Sequence, residues 1–542
     1  MTALTQHRSV VMCTQGVIAT AQPLASAAGL QVLMSGGNAI DAVIAAAGVL
    51  NVTMPMMCGL GGEVFAIYYE AKTGKVFGIN GSGVAPRGST PEYYHRLGFQ
   101  KMPPHGMLAA AIPGQVDACA TMLERWGTRS LGELLQPAIQ YAEYGFPVAQ
   151  RAATSMANTT LLSRFPTTAK VMLKPGGEPF RAGEVLVQKD LARTMQLIAS
   201  GGRDVFYKGA IAKDFVEFSQ ANGGLHTLED FAEHRTTVYE PLRIGYRGCE
   251  VLQTAPPSQG VIHLEMMSLL EGFDLKQAGI SSVASIHLQV EAKKLAFADR
   301  IKWVGDPAFV KSPIKGLLSK EYAAQRRGGI NLNQANNAPS PGMPGEFDGD
   351  TTYLCVVDKE GNAVSFIHSL SNAFGCAQIV GDTGILPNNR VGRGFSLDPG
   401  HINVIAPGKK TMHTLNCYMV LREGKPYIVG GTPGGDRQPP INAQILCNLL
   451  DYGMNVQEAA EAPRWMSTPG TDPVNIEQPF ALELEEGIPN EVADRLEALG
   501  HRTTRVGAYG AGGQVMLIQI DPATGVRHAG VDPRSDGVAA GY

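Results

Sequence analysis

The sequence has no long hydrophobic run and no cluster of like charges. Its most apolar helix candidate, residues 39–52, is too short to cross a bilayer and carries Asp41 near its start, so we interpret it as a buried helix. The 45 basic and 49 acidic residues give a net charge of -4, and there is no electrostatic reason to expect nucleic acid or an anionic membrane as a partner. Residues 1–15 lack the apolar region of a secretory signal, and we therefore expect a cytoplasmic protein.

Cysteine and histidine are few, and neither has the spacing of a metal site. The eight cysteines include no CxxC pair, and the twelve histidines form no HExxH motif. Because free cysteine in apolar surroundings behaves as a small hydrophobe, structural thiols are favoured over disulfides or metal ligands. The sequence predicts no metal and no cofactor.

Changes of composition divide the 542 residues, which exceed the usual size of one domain. Residues 16–69 alternate between strand-like and helical patterns, and residues 113–300 have mainly helical periodicity. Residues 331–349 are rich in Asn, Pro and Gly, and they predict a flexible linker. Strand-like runs bounded by Gly and Asn follow at residues 352–357, 363–370, 417–421 and 426–429. This mixture predicts an α/β or α+β fold with layered packing.

The candidate nucleophile is Thr351, which stands after the linker and at the head of a strand-like run. If the chain is cut between Asp350 and Thr351, the threonine gains a free α-amine beside its own hydroxyl. An amine and a hydroxyl on one residue together form a base and a nucleophile. An α-amine titrates near pH ~8, so part of it is unprotonated around neutrality and can accept the hydroxyl proton.

The segment from Thr351-Thr352-Tyr353 to Asn362-Ala363-Val364 resembles the start of the small subunit in the γ-glutamyltranspeptidase family. Further motifs similar to those of the family occur in order along the whole chain. They are Gly36-Gly37-Asn38-Ala39-Ile40-Asp41-Ala42, Leu60-Gly61-Gly62, Pro113-Gly114, Pro256-Pro257-Ser258-Gln259-Gly260, Phe297-Ala298-Asp299-Arg300, Pro433-Gly434-Gly435, Ala462-Pro463-Arg464 and Asp532-Pro533-Arg534-Ser535.

The resemblance implies an N-terminal-nucleophile hydrolase, a precursor that cleaves itself before Thr351. It implies an α+β fold, the four-layer αββα sandwich, built jointly by a large subunit of residues 1–350 and a small subunit of residues 351–542. The two subunits form a heterodimer, with a dimer of heterodimers as a further expectation, and neither nucleic acid nor membrane is a partner.

The resemblance also implies roles for residues around Thr351. Gly434 and Gly435 match the pair whose N–H groups form the oxyanion hole, although Pro433-Gly434-Gly435 alone is also typical of a turn. Ser369 matches a hydroxyl residue that orients the α-amine, whereas Ser371 stands where the family usually has asparagine. Isolated serines in a strand are otherwise surface residues.

The chain departs from the family where γ-glutamyl enzymes hold the amino-acid end of glutamate. Ser82 replaces the arginine that binds the carboxylate, and Arg393 replaces the aspartate that binds the ammonium. Arg390 stands where glutamine is usual, and His413-Thr414 replaces two serines. An arginine repels an ammonium group and favours a carboxylate.

We therefore predict an acyl donor that carries a carboxylate but no α-ammonium, held by Arg390 and Arg393, with Arg87 as a further anion contact. Oxamate fits this description, and so do glutaryl-type amides. The alternative is that these arginines point into solvent.

Three functions follow. The first is an amidohydrolase that transfers the acyl group to water, and the second is a γ-glutamyl hydrolase or transpeptidase that acts on glutathione-like substrates through other contacts. The third is a homologue that no longer processes itself and serves as a binding protein. Ammonia or amine release from a panel of amides separates them.

Overall fold

The computed structural model describes residues 6–343, 354–470 and 478–542. Within these ranges the chain forms two seven-stranded sheets, one in the order β1-β18-β17-β13-β12-β9-β8 and the other in the order β19-β2-β10-β11-β3-β4-β7. The strands are β1 Val11–Cys13, β2 Val17–Thr20, β3 Glu63–Glu70, β4 Lys75–Gly81, β5 Phe146–Pro147, β6 Val185–Leu186, β7 Thr237–Tyr239, β8 Leu242–Tyr246, β9 Cys249–Gln253, β10 Leu354–Val357, β11 Ala363–Ser369, β12 Cys417–Arg422, β13 Lys425–Gly431, β14 Trp465–Thr468, β15 Ala481–Glu485, β16 Thr503–Val506, β17 Met516–Ile520, β18 Arg527–Val531 and β19 Val538–Gly541.

Helices cover the outer faces of both sheets. They are α1 Pro23–Met34, α2 Ala39–Thr53, α3 Pro91–Arg96, α4 Gln115–Trp126, α5 Leu131–Tyr144, α6 Gln150–Ala157, α7 Leu161–Arg164, α8 Pro166–Met172, α9 Lys189–Tyr207, α10 Ala210–Ala221, α11 Leu228–Glu233, α12 Gly260–Leu270, α13 Leu275–Ala278, α14 Val283–Trp303, α15 Ile314–Leu317, α16 Lys320–Arg327, α17 Arg390–Gly394, α18 Gln438–Leu450, α19 Val456–Glu461 and α20 Asn490–Ala498. Among the helices in the described ranges, none is long and apolar enough to cross a membrane.

Strand β3 shows how the layers are built. Its odd-numbered residues Phe65, Ile67 and Tyr69 pack into a core between the two sheets, which also contains Met419 of β12. Its even-numbered residues face the opposite way and join the core beneath α1, α2, α5 and α9. A third core lies between the other sheet and helices α12, α14 and α18. Side chains alternate between the two faces of a strand, so a strand buried on both faces has a continuous apolar run. The protein is an α+β sandwich with the predicted order of helix, sheet, sheet and helix.

Helix α2 is the apolar segment that the sequence analysis interprets as buried. Asn38 and Asp41 form a capping box at its N-terminus, and Asp41 also accepts a hydrogen bond from the backbone N–H of Thr128 at 2.9 Å. All of its side chains are buried between the sheet and α5. The acid near the start of α2 therefore caps the N-terminus of the helix, and it does not give the helix an exposed polar face.

The structure differs from the sequence prediction in two respects within residues 113–300. This region contains the adjacent strands β8 and β9, which the predicted helical periodicity does not include. Strand β9 gains its partner β12 from a segment more than 150 residues away in the chain, and local periodicity does not report such a pairing. The apolar spacing of residues 285–300 predicts a long amphipathic helix, whereas all of these residues are buried in α14. The reason is that α12 packs on one side of α14, while β14 and α20 pack on another.

The predicted linker has no helix or strand over its described residues, 331–343. It is nevertheless attached to the protein surface. Ala335 donates its N–H to the carbonyl of Leu499 at 2.7 Å, and Gly342 donates to the Asp299 carboxylate at 2.5 Å. The described end of the linker, at Gly342, is thus held against α14.

Candidate active site

A cavity of about 230 Å³ lies where β11 ends. Six of the residues predicted from the sequence line it, although they come from four separate segments of the chain. They are Ser369, Ser371, Arg393, Thr414, Gly434 and Gly435. Asp350 and Thr351, the predicted cleavage site and nucleophile, lie outside the described residues.

The Gly434–Gly435 loop connects β13 to α18 and has a backbone that requires glycine. Gly434 has φ of 138° and Gly435 has φ of 58°, and residues other than glycine rarely adopt either value. A Cβ on Gly435 would lie 2.6 Å from Nη2 of Arg393. Within the described residues, neither glycine N–H donates a hydrogen bond. The loop therefore offers two N–H donors beside the cavity, as an oxyanion hole requires.

Ser369 and Ser371 are joined by a tight turn at the end of β11. The backbone N–H of Ser371 donates to Oγ of Ser369 at 2.8 Å, so the Ser369 hydroxyl keeps its own proton to donate elsewhere. Ser371 has φ of 83°, a left-handed conformation that is uncommon without glycine. Its buried Oγ has no hydrogen-bond partner in the described structure. Both serines line the cavity, and the Ser369 hydroxyl is able to donate a hydrogen bond there.

The two predicted arginines occupy different environments. Arg393 lines the cavity and donates from Nη1 to the carbonyl of Ser371 at 3.1 Å. Arg390 is buried behind the cavity wall, where Nε donates to Glu63 at 3.0 Å and Nη1 donates to Oγ1 of Thr414 at 3.3 Å. A guanidinium taken out of water needs an opposite charge, and Glu63 supplies it. The two arginines therefore do not form a common fork on the cavity wall.

Glu63 is a buried anion that the sequence analysis missed. His413 lies with Nε2 2.9 Å from its carboxylate and does not line the cavity. Burial alone would raise the pKa of Glu63, but the charges of His413 and Arg390, with hydrogen bonds from His413 and the Gly83 N–H, lower it to about 2. The available signal was a lone acid at the head of an apolar strand, directly after Leu60-Gly61-Gly62.

Arg87, the further predicted anion contact, does not line the cavity. It lies at the surface, where Nη1 is 3.1 Å from Glu229 and Nε is 3.4 Å from Asp230, and it also pairs with Glu233. Three carboxylates at the N-terminal end and along α11 thus surround this guanidinium. An anionic substrate would have to compete with them.

One group of side chains in the described ranges has ligand atoms close enough for a metal ion. It consists of His287 and Glu291 on α14 together with His501, with the three atoms within 4.8 Å of one another. The Glu291 carboxylate, however, pairs with the Lys294 ammonium at 2.8 Å. His287 and His501 are hydrogen-bonded to each other at 2.8 Å. Lysine already supplies the positive charge at this position, and the group fits a buried hydrogen-bond network better than a cation site.

Comparisons with known proteins agree with the geometry. The sequence profile of the Gamma-glutamyltranspeptidase family matches residues 25–542. The glutathione hydrolase-like YwrD proenzyme of Bacillus subtilis is 39% identical over 98% of this chain and 99% of its own. The oxamate amidohydrolase proenzyme of Klebsiella pneumoniae is 34% identical over 98% and 99%.

A solved structure extends the likeness to three dimensions. Cephalosporin acylase from Bacillus halodurans superposes with a TM-score of 0.91 and 36% identity, covering 100% of this chain and 98% of that one. These relatives are named as hydrolases and acylases, and the present chain is an enzyme of the same kind, acting on amide bonds. With its sandwich, its glycine loop and a match to the profile over residues 25–542, the chain belongs to the γ-glutamyltranspeptidase family.

Proposed function

We propose that this chain cleaves itself between Asp350 and Thr351 and then uses Thr351 as the nucleophile of an amidohydrolase. The arrangement of the cavity supports this, since it is lined by Ser369 and by the Gly434–Gly435 loop, which the resemblance assigns to the chemistry of Thr351. The names of the two relatives above both contain the word proenzyme, in keeping with a precursor that is processed.

In the proposed reaction the α-amine of Thr351 takes the proton of its own hydroxyl as Oγ1 attacks the amide carbon. The negative charge that forms on the carbonyl oxygen is stabilised by the N–H groups of Gly434 and Gly435. Protonation of the leaving nitrogen then releases ammonia or an amine and leaves an acyl-enzyme. Water attacks the ester, and the carboxylate product leaves. Ser369 holds the amine in place through its hydroxyl.

The acyl donor carries a carboxylate close to the scissile carbonyl, and oxamate is the favoured substrate. The observation that carries this proposal is the position of Arg393, whose Nη2 lies 2.6 Å from where a Cβ of Gly435 would be. A carboxylate on this guanidinium is therefore immediately next to the oxyanion loop. In oxamate the carboxylate and the amide carbonyl are directly bonded, whereas a glutaryl chain places three methylene groups between them. The cavity of about 230 Å³ is also smaller than the roughly 300–1,000 Å³ that is usual for drug-sized ligands.

A panel of amides tests the proposal. We expect ammonia from oxamate, less from longer dicarboxylic monoamides and little from glutathione. On a denaturing gel the purified protein should run as two fragments, and the N-terminal residue of the smaller one should be Thr351. An intact chain without activity would instead support the binding-protein alternative. Rapid glutathione turnover with inert oxamate would support the γ-glutamyl alternative, which the name of the Bacillus subtilis relative favours.

A further inference from the structure

A cluster of three side chains lies directly behind the oxyanion loop, in which Arg300 and Gln259 are buried and Asp436 is partly buried. Arg300 donates from Nη1 to Oε1 of Gln259 and from Nη2 to Oδ1 of Asp436, so one guanidinium joins the two side chains. Arg300 is 1% exposed and Gln259 is fully buried. Gln259 and Arg300 belong to motifs named above, and Asp436 directly follows Pro433-Gly434-Gly435, yet none of the three lines the cavity.

Gln259 links two walls of the cavity. Its Nε2 donates to the carbonyl of Gly435 at 3.0 Å and also to the carbonyl of Thr414. Because Arg300 donates to Oε1, the amide is oriented with its NH₂ group toward these two carbonyls. The neighbouring backbone adds a further connection, since the N–H of Gln259 donates to the carbonyl of His413 at 3.0 Å.

Two adjacent glycines need such a restraint. Glycine has no Cβ to limit its backbone, and it populates many φ/ψ combinations. A donor stabilises an oxyanion only when it is already aimed at the developing charge. Here the carbonyl of Gly435 is fixed by Gln259, and the next residue, Asp436, is fixed by Arg300. Both flanks of the Gly435–Asp436 peptide are thereby held.

We propose that Arg300 is a positioning residue for the oxyanion hole and acts through Gln259 and Asp436. This inference rests on the proposed function. With cleavage before Thr351, Arg300 and Gln259 belong to the large subunit, whereas the glycine loop and Asp436 belong to the small subunit. The large subunit then sets the conformation of a catalytic loop that it does not contain.

Arg300→Lys is the main test, because a lysine keeps the charge but cannot bridge both partners as the planar guanidinium does. We expect the variant to be processed and to have a kcat about 10 to 100 times lower, with KM changed less than about threefold. This loss is smaller than the roughly 10²–10³-fold cost of removing an oxyanion donor outright. Asp436→Asn, which keeps the shape and removes the charge, should shift kcat in the same direction.

The matched control is Arg247→Lys. Arg247 also joins the two proposed subunits, with Nε 2.7 Å from Asp451, and it donates to the carbonyls of Glu271 and Phe273. It lies outside the cavity lining. We expect this variant to unfold at a lower temperature with kcat within about twofold of wild type.

Chemical rescue gives a second readout, because low millimolar methylguanidinium should restore kcat to Arg300→Ala but not to Gly435→Ala.

The outcomes separate the two proposals. If wild type turns over its best amide and both Arg300→Lys and Asp436→Asn retain its kcat, the positioning role is wrong while the proposed function stands. If the Arg300 and Arg247 variants lose kcat equally and in proportion to their stability, the effect is structural and the positioning role is again wrong. If wild type is inactive on every amide, both proposals fail.

Discussion

Replacing Arg393 by glutamine should remove the preference for substrates with a carboxylate next to the amide. Arg393 is half-buried at the cavity wall, and a hydrogen bond to a charged group contributes about 1.5–3 kcal/mol, which corresponds to a change of about 10- to 150-fold in kcat/KM. The assay is ammonia release from oxamate and from the monoamides of malonate, succinate and glutarate. For wild type, kcat/KM should fall as the acyl chain of the substrate lengthens. For Arg393→Gln, kcat/KM should differ little between these substrates.

Acetamide separates charge recognition from damage to the site. Arg393 also contacts Ser371 and lies against Gly435, so its loss could disturb the oxyanion loop. A disturbed loop would slow acetamide as much as oxamate, whereas a lost carboxylate partner slows only oxamate. Arg243→Gln, an exposed arginine of β8 that pairs with Glu240 and Glu250, is the control and should change neither substrate. If Arg393→Gln leaves the oxamate to acetamide ratio unchanged, the electrostatic reasoning is refuted.

Further predictions concern the nucleophile, the buried anion and the glycine loop. Thr351→Ala should give a single unprocessed chain without amidase activity on a denaturing gel, and two fragments of wild-type size would contradict the cleavage. Glu63→Gln should lower the unfolding midpoint, since a buried Arg390 without its partner costs about 3–5 kcal/mol, and an unchanged midpoint would contradict that pairing. The pKa of Glu63 is about 2 in the folded protein and about 4.3 in the unfolded chain. The ionised carboxylate therefore contributes fully to the free energy of unfolding above pH ~4.3, and this contribution is lost as the pH falls toward 2. Acid titration of the Glu63→Gln variant should lack this loss of stability. Gly435→Ala should lower kcat at least about 10-fold in initial-rate assays, because its Cβ would meet Arg393 and its φ of 58° is strained for alanine.

The sequence predicted the strands around the candidate site more closely than the electrostatics behind it. The strand-like runs at residues 363–370 and 417–421 correspond to β11 and β12 with ends shifted by one residue, because apolar runs bounded by Gly and Asn are local signals. The convergence of Arg393, Thr414 and the glycine loop on one cavity followed from the family resemblance and agrees with the geometry. No pattern within a single segment indicated that Arg390 and His413 would turn toward Glu63.

The orientation of Arg390 and His413 toward Glu63 depends on a strand pairing between distant parts of the chain. Strand β11 aligns Ser369 with Glu63, which is 306 positions earlier in the sequence, and this register brings the acid behind the cavity. Within their own segment, Arg390 and Arg393 are three residues apart, and the local sequence assigns both to the substrate. Only the assembled sheet shows that one of them is balanced by an internal carboxylate.

The position of Glu63 also bears on substrate charge. Glu63 and Arg390 form an ion pair inside the protein, so Arg390 brings no additional positive charge to the cavity wall. A substrate with one carboxylate matches the guanidinium of Arg393 there, whereas the ammonium of a γ-glutamyl group would be repelled by it. Converting Arg393 to aspartate reverses that preference without touching the buried pair. We therefore expect Arg393→Asp to lose oxamate turnover and to gain relative activity on γ-glutamyl amides, and an unchanged substrate profile would show that the acyl donor is selected elsewhere.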